Sequence, residues 1–420
     1  MILKKIIIGV AVWALALPSG AQTNSIEIEK DNDSTTVDSL WSDSSVVKND
    51  TLPWPQNVQL AIDELLKNDM FHTSQVGMMI YDLDADSAIY RHNERQLMRP
   101  ASTLKVITAI TALDRLGGGY QFKTELCYTG RVDSCVLRGD VYCVGGFDPR
   151  FNSDDLRALV EALRKMGVDT IRGNVYVDKT MKDANRLGEG WCWDDDNPVL
   201  SPLLIGRKDV VIDRLATELR KSDIVVMGVF GEQRKPAAAN CIATRFHTID
   251  QVLMRMLKES DNLYAESMFY QIAASTGNHP ASAADARSVI RQLVSKVGLN
   301  PSNYQFADGS GLSLYNYVSP ELEVRFLRYA YSNAIVYNHL LQALPIAGRD
   351  GTLRSRMQNQ FTRGNVHAKT GTVTGISSLC GFLTAANGHH ICFSIINQGL
   401  LHGVNGRRFQ DKVCGILCRN

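Results

Sequence analysis

Residues 99–117 read RPASTLKVITAITALDRLG, a serine and a lysine three positions apart at the head of an apolar run that ends in glycine. The spacing puts Ser102 and Lys105 on one face of a helix running to about residue 116, stopped by Gly117-Gly118-Gly119. A serine hydroxyl is a poor nucleophile until a neighbour takes its proton. A lysine in a dry cleft, near other positive groups, can be neutral enough to do that. Ser102 would also feel the partly positive field of a helix start. The plain alternative is a helix cap followed by an ordinary buried helix.

Two further stretches bear on that choice. Ser260-Asp261-Asn262 interrupts the helical pattern of residues 248–276. Ser, Asp and Asn compete for backbone hydrogen bonds, so the cluster marks a loop between two helices. Lys369-Thr370-Gly371-Thr372 opens an apparent strand, where a glycine often marks close approach of a ligand or another backbone. A lysine and two hydroxyls beside it suit a carboxylate, and a basic strand edge with a bulge is the simpler reading.

The chain has 420 residues, 45% hydrophobic and 21% charged, with a formal net charge of +1. That is an ordinary globular balance of two to three domains, without the basic excess that nucleic-acid binding needs. At the N-terminus, Lys4 and Lys5 precede an apolar run from Ile6 to Leu17 and the small residues Ser19-Gly20-Ala21. The pattern reads as a signal peptide cut after Ala21, with an uncleaved anchor as the alternative. The apolar run is short for a transmembrane span, so no stable span is expected in the mature, exported chain. Residues 22–53 are rich in Ser, Asp, Thr and Asn and read as a flexible tether.

Strand patterns occur at both ends of the remainder, in 75–93 and 365–399, with helical patterns between. One antiparallel sheet built from both ends of the chain is expected, with a helical subdomain. Residues 120–244 hold their own short strands and helices and read as an inserted α+β domain, leaving 54–119 and 245–420 as the catalytic domain. The fold class is therefore α+β. The nine cysteines are spread thinly, with no CxxC and no zinc spacing. Most read as small buried hydrophobes, and a bridge among Cys127, Cys135 and Cys143, in neighbouring strands, is plausible. No metal or organic cofactor is expected: HExxH is missing, and His389-His390 falls in an apparent surface turn.

SxxK, SDN and KTG in that order resemble the motif set of serine β-lactamases and penicillin-binding proteins. The resemblance implies a nucleophilic Ser102, Lys105 as its base, Ser260 as a proton shuttle and Asn262 as a partner of the substrate amide. Lys369, Thr370, Gly371 and Thr372 would bind a terminal carboxylate. The backbone N–H groups of Ser102 and Thr372 would form the oxyanion hole. Ser102 and Ser260 lie 158 positions apart, far more than in class A β-lactamases, and no counterpart of their deacylating glutamate is evident.

The long insertion, with GDVYCVGGFDPRF (139–151), GEGWCWDDD (188–196), ADGSGLSLYNYVSP (307–320) and LPIAGRDGTLRSRM (344–357), is instead similar to the class C low-molecular-mass penicillin-binding proteins of the peptidase S13 family. That resemblance runs from about Val76 to the end. It implies a D-Ala-D-Ala carboxypeptidase/endopeptidase working through an acyl-serine, with peptidoglycan stem peptides as substrates, β-lactams as acylating ligands, and a periplasmic or envelope location. In the Trp-x-Trp-x-Asp segment it gives Asp195, beside Trp193, the role of holding the amino end of the substrate's diamino acid. A β-lactamase, or a silent wall-binding or β-lactam-sensing module, are the other readings. Family members usually nest a third domain in the insertion. Here residues 201–209 run almost directly into a helix, and that domain is expected to be absent.

Overall fold

The computed structural model describes residues 51–192 and 197–419, which leaves residues 1–50, Trp193 and Asp195 outside the described residues. The signal-peptide reading and nearly all of the tether lie there too.

The central sheet joins the two ends of the chain. Its five strands are β1 (Gln75–Asp82), β2 (Ser87–His92), β12 (His367–Val373), β13 (Ile376–Thr384) and β14 (His390–Gln398), in the order β12-β13-β14-β1-β2. Every pairing is antiparallel. The closure is the β1–β14 ladder, which runs from Gln75 opposite Gln398 to Asp82 opposite Ile391. β13 and β14 are buried along almost their whole length rather than on alternate residues. Helices on both faces explain this: α10 (Gly403–Arg419) packs on β13, α8 (Pro320–Ser332) packs on β14, and α1 (Trp54–Leu65) lies against α10.

The helix that opened the sequence reading, α2 (Leu104–Leu116), is buried all round from Leu104 to Leu113. Ser102 is not its cap. Ala101–Thr103 form a separate 3-10 turn, so the serine sits just ahead of the helix. Gly117, at φ 81, closes the far end in a conformation that suits a residue without Cβ. Around α2 pack α5 (Ile249–Lys258), α6 (Asn262–Ala274), α7 (Ala283–Lys296), α8 and α9 (Ala334–Ala343), sharing one apolar core that contains Ile107, Ile110, Leu253, Phe269, Phe326 and Leu340.

Residues 121–248 form two sheets of their own. The first has β3 (Gln121–Tyr128), β6 (Val141–Gly145), β8 (Val175–Asp178), β10 (Phe230–Glu232) and β11 (Asn240–Thr248), ordered β10-β8-β6-β3-β11. The second has β4 (Arg131–Asp133), β5 (Val136–Arg138), β7 (Thr170–Ile171) and β9 (Val225–Val226). Two amphipathic helices, α3 (Ser153–Lys165) and α4 (Val211–Lys221), cover a second core of Leu126, Leu159, Leu163, Val177, Leu215 and others. β11 passes the expected end at residue 244 and runs to Thr248, whose hydroxyl caps α5 in a capping box with Gln251. Strand and helix therefore meet without a linker. Phe122 and Phe147 from this region enter the main core, and the side chains of Ser267 and Gln271 on α6 donate to the carbonyls of Phe147 and Gly146.

The cysteine expectation needs correction. Cys127 bridges Cys241 rather than Cys135 or Cys143, because β3 pairs with β11 and puts those two residues opposite each other. Cys143 is a free, buried thiol and Cys135 is free and exposed. The bridge closes 114 residues and clips the first strand of the region to its last. A loop of that length is worth about 4–5 kcal/mol in the chain-entropy account. The Cys127→Ser/Cys241→Ser protein is therefore expected to melt several degrees lower than wild type in calorimetry. An unchanged melting temperature would show that the β3–β11 ladder alone sets the stability.

Candidate active site

The three sequence segments meet at the start of α2. Ser102 lies in the 101–103 turn, Ser260 and Asn262 at the break between α5 and α6, and Lys369 on the edge strand β12. The turn is strained and tightly held. Ala101 sits at φ 50, which costs a residue with Cβ. The Thr103 hydroxyl donates to the Pro100 carbonyl at 2.8 Å, and Ser378 on β13 donates to the same carbonyl at 2.5 Å.

Two glycines allow the walls to close on this turn. A Cβ on Gly371 would lie 2.1 Å from Ser378 Oγ, 2.7 Å from the Pro100 oxygen and 3.0 Å from the Ser102 nitrogen. A Cβ on Gly311, at φ 81, would lie 1.8 Å from the Ala101 oxygen. The glycine of KTG is thus explained by packing: only a bare Cα lets β12 lie against the nucleophile turn.

Lys105 has no exposed surface. Its Nζ donates to Ser102 Oγ at 2.9 Å, Asn262 Oδ1 at 2.8 Å and the Ser310 carbonyl at 2.7 Å. Burial draws its pKa down to about 8, against the opposing pull of Asp308, Glu266 and Asp261. Lys369 is equally buried, and its Nζ donates to Ser260 Oγ at 2.9 Å and to the Thr370 carbonyl at 2.6 Å. Burial, and then the positive charge of Lys105, hold its pKa well below the ordinary lysine value. Two serine–lysine pairs therefore face one cleft. Ser260 occupies a left-handed conformation at φ 58, the kink that separates α5 from α6 and turns its hydroxyl to Lys369.

Asp261 caps α6 through the Leu263 N–H, and its other oxygen takes Arg207 at 2.6 Å and Arg255 at 2.8 Å. Thr370 Oγ1 donates to Thr352 Oγ1 at 2.7 Å. Ser102, Lys105, Ser260, Asn262 and Lys369 thus share one cleft, and Thr370, Gly371 and Thr372 follow Lys369 along β12. Trp193 and Asp195 lie outside the described residues. Their neighbour Trp191 donates its indole N–H to Asp308 Oδ2 at 2.8 Å, which ties that segment to the loop behind Lys105.

Sequence reasoning missed Glu266, Asp308, Ser310 and Arg207. The first could have been found as a lone acid one turn after Asn262 on an otherwise apolar helix. Asp308 heads the gly-ser run ADGSGLS, a turn-forming composition that signals a built loop. Arg207 has no local signal, since its partner is 54 residues away. Among the described residues, two groupings bring metal-ligating atoms together: Glu125, Cys127 and Cys241, whose sulfurs form the disulfide, and Asp82, Asp84 and His389. Neither includes a residue of the cleft.

Gly371→Ala is expected to leave the fold intact and to reduce labelling of Ser102 by a serine-directed acylating reagent about 10- to 100-fold, since displacement by a fraction of an ångström is costly at a reacting centre. Labelling at the wild-type rate, followed by intact-mass spectrometry, would show that the close approach of β12 has no part in reactivity.

The profile of the D-Ala-D-Ala carboxypeptidase 3 (S13) family matches residues 58–203 and 207–419. The chain is 26% identical over 405 residues to the D-alanyl-D-alanine carboxypeptidase DacB of Haemophilus influenzae, covering 76% of this chain and 84% of that one. It is 26% identical over 436 residues to the D-alanyl-D-alanine carboxypeptidase of Actinomadura sp. (strain R39), covering 80% of each. The crystal structure of penicillin binding protein 4 from Haemophilus influenzae superposes with a TM-score of 0.79 at 24% identity, over 86% of this chain and 99% of that one. A structure of that protein with a β-lactam superposes at 0.73 over the same shares, again at 24% identity. With the profile spanning nearly the whole described chain and the SxxK, SDN and KTG side chains gathered in one cleft, the protein belongs to the S13 family of serine-type D-Ala-D-Ala carboxypeptidases, the class C penicillin-binding proteins.

Proposed function

We propose that the chain hydrolyses D-Ala-D-Ala termini of peptidoglycan stem peptides, and D-Ala-linked cross-bridges, through an acyl-Ser102 intermediate. One observation supports this above the rest: a fully buried lysine amine lies 2.9 Å from a serine hydroxyl in a strained turn. In its neutral form Lys105 accepts the Ser102 proton, and the alkoxide adds to the penultimate D-Ala carbonyl. The tetrahedral oxygen is held by the backbone N–H groups of Ser102 and Thr372. Collapse expels terminal D-alanine, its nitrogen protonated by way of Ser260. Water then cleaves the acyl-enzyme, with the same groups serving in reverse.

Asn262 has its carbonyl on Lys105, which orients the side chain so that its amide N–H faces the substrate backbone. Lys369, with Thr370 and Thr372, takes the terminal carboxylate, and Gly371 lets the strand reach it. Asp195 and Trp193 are assigned to the amino end of the diamino acid. β-Lactams present a strained amide beside a carboxylate and would acylate Ser102 in the same way. The reading includes export with cleavage after Ala21, residues 54–119 and 245–420 as the catalytic domain, and residues 120–244 as the insertion without a nested third domain. The short turn at residues 204–209, closed by a bridge between Ile205 and Lys208, supports the last point.

Incubation with a muropeptide pentapeptide and a cross-linked dimer is expected to release D-alanine from the first and monomers from the second. Ser102→Ala should lose at least about a thousandfold in rate. Release by that variant at the wild-type rate would exclude the acyl-serine route. The pH dependence has a fixed sign. Below about 8 Lys105 is an ammonium and holds no lone pair for the serine proton, so acylation by penicillin should rise as pH increases through about 8. A rate that is flat across that range would remove Lys105 as the base.

A further inference from the structure

Glu266 has no part in the mechanism above, yet it stands one helical turn after Asn262, on the same face of α6, and is 1% exposed. Asp308 is equally buried, and the loop it heads touches both Glu266, through the Gly309 N–H, and Lys105, which donates to the Ser310 carbonyl. The two carboxyl groups are treated very differently. Asp308 receives the N–H groups of Gly311 at 2.8 Å and Ser313 at 2.7 Å, the indole of Trp191 at 2.8 Å, the amide of Asn316 at 2.8 Å and the Ser310 hydroxyl at 3.4 Å. That is the full acceptor capacity of an anion. Glu266 shares a single backbone N–H, that of Gly309, between its oxygens at 3.1 and 3.2 Å, with the Ser310 hydroxyl beside it. Two acids confined to one dry site do not both ionise readily, and the poorly solvated one keeps its proton.

A cavity of about 430 Å³ reaches both acids from outside. Glu189, Asp183, Tyr270 and Arg287 line it with them, and none of Ser102, Lys105, Ser260, Asn262 or Lys369 does. Glu189 is half exposed, so the chamber opens to water.

Resting on the acyl-serine reading, we propose that Glu266 is a positioning residue that sets the charge of Lys105, protonated at rest and exchanging its proton with water in this chamber. With Glu266 neutral, one negative charge fewer stands near Lys105, and the lysine is free to lose its proton and serve as base. When Glu266 gives its proton to the chamber, the new carboxylate stabilises the Lys105 ammonium, and a higher pH is needed to free the base.

Burial and the charge of Asp308 push Glu266 up to about 8, the range to which burial lowers Lys105, so the two titrate as a coupled pair. The other ionisable groups facing them are Asp261 at the cap of α6, Lys369 on β12, Tyr270 on α6, Asp183 on the chamber wall, paired to Lys182, and Arg287 on α7, paired to Glu189 at 2.7 Å.

The test is the rate constant for acylation by benzylpenicillin, measured from mildly acid to alkaline pH on wild type, Glu266→Gln, Glu266→Asp and Ser102→Ala. In wild type the rise with pH should be broader than one ionisation. In Glu266→Gln it should become a single ionisation displaced downward by about one pH unit, because the switchable anion is gone. Glu266→Asp should keep the wild-type profile. A Gln profile superposable on wild type overturns the proposal. So does a wild-type rise that fits one ionisation, which decides the matter even if the Gln variant does not fold. Absence of acylation in wild type would instead sink the acyl-serine reading itself.

Discussion

Two lysine side chains without any exposed surface open on one cleft, and the rest of the molecule can be understood as what that demands. An ammonium group removed from water is destabilised by several kcal/mol unless it is paired or gives up its proton. The two lysines resolve the conflict differently. Lys105 has Asp308 and Asp261, and Glu266 when it is ionised, near enough to offset part of the desolvation. Lys369 is offset by no carboxylate: its amine meets a hydroxyl and a carbonyl, and Cys380 alone opposes its burial and the adverse charge of Lys105. The same residue type is thereby set to two tasks. One lysine is poised near neutrality to move a proton, and the other is left short of a counter-ion, which an incoming carboxylate can supply.

Holding those lysines dry explains the architecture around them. α2 must be buried on all sides, which five packed helices provide, while the sheet meets the 101–103 turn ahead of it. The sheet must bring β12 to within contact of the 101–103 turn, and the β1–β14 ladder between opposite ends of the chain fixes that placement. Gly371 and Gly311 are what the contact looks like at atomic scale: each faces a backbone atom at a distance no Cβ could share. The inserted region is bound into the same frame rather than hung from it, because Phe122 and Phe147 enter the main core and α6 hydrogen-bonds to its backbone.

Much of this was readable in the chain, and the reasons are local. Ser102 and Lys105 stand three apart, Ser260 to Asn262 break a helix by competing for its hydrogen bonds, and Lys369 to Thr372 open a strand. Spacing and residue type carry that information. The sheet from both ends follows from where the strand patterns lie. What was not readable depends on contacts between distant residues. Cys127 and Cys241 meet through a ladder across 114 residues, and Arg207 reaches Asp261 across 54. Nor does Ser102 cap its helix, since the steric demands of Pro100 and Ala101 and the pull of Ser378 make a separate turn.

The buried acids show most sharply why motifs underdetermine a site. Asp308 and Glu266 differ by one methylene in sequence terms, yet four donors besides the Ser310 hydroxyl reach Asp308, while Glu266 has that hydroxyl and one shared backbone N–H. Burial with so few donors, not residue type, is what favours the protonated form of Glu266. Lys105 responds to the outcome, because each ionised carboxylate near it favours the ammonium that cannot act as base. The serine–lysine pair defines what reaction is available. Whether it is available at a given pH is decided one layer further back, by a loop and a helix turn that touch no substrate.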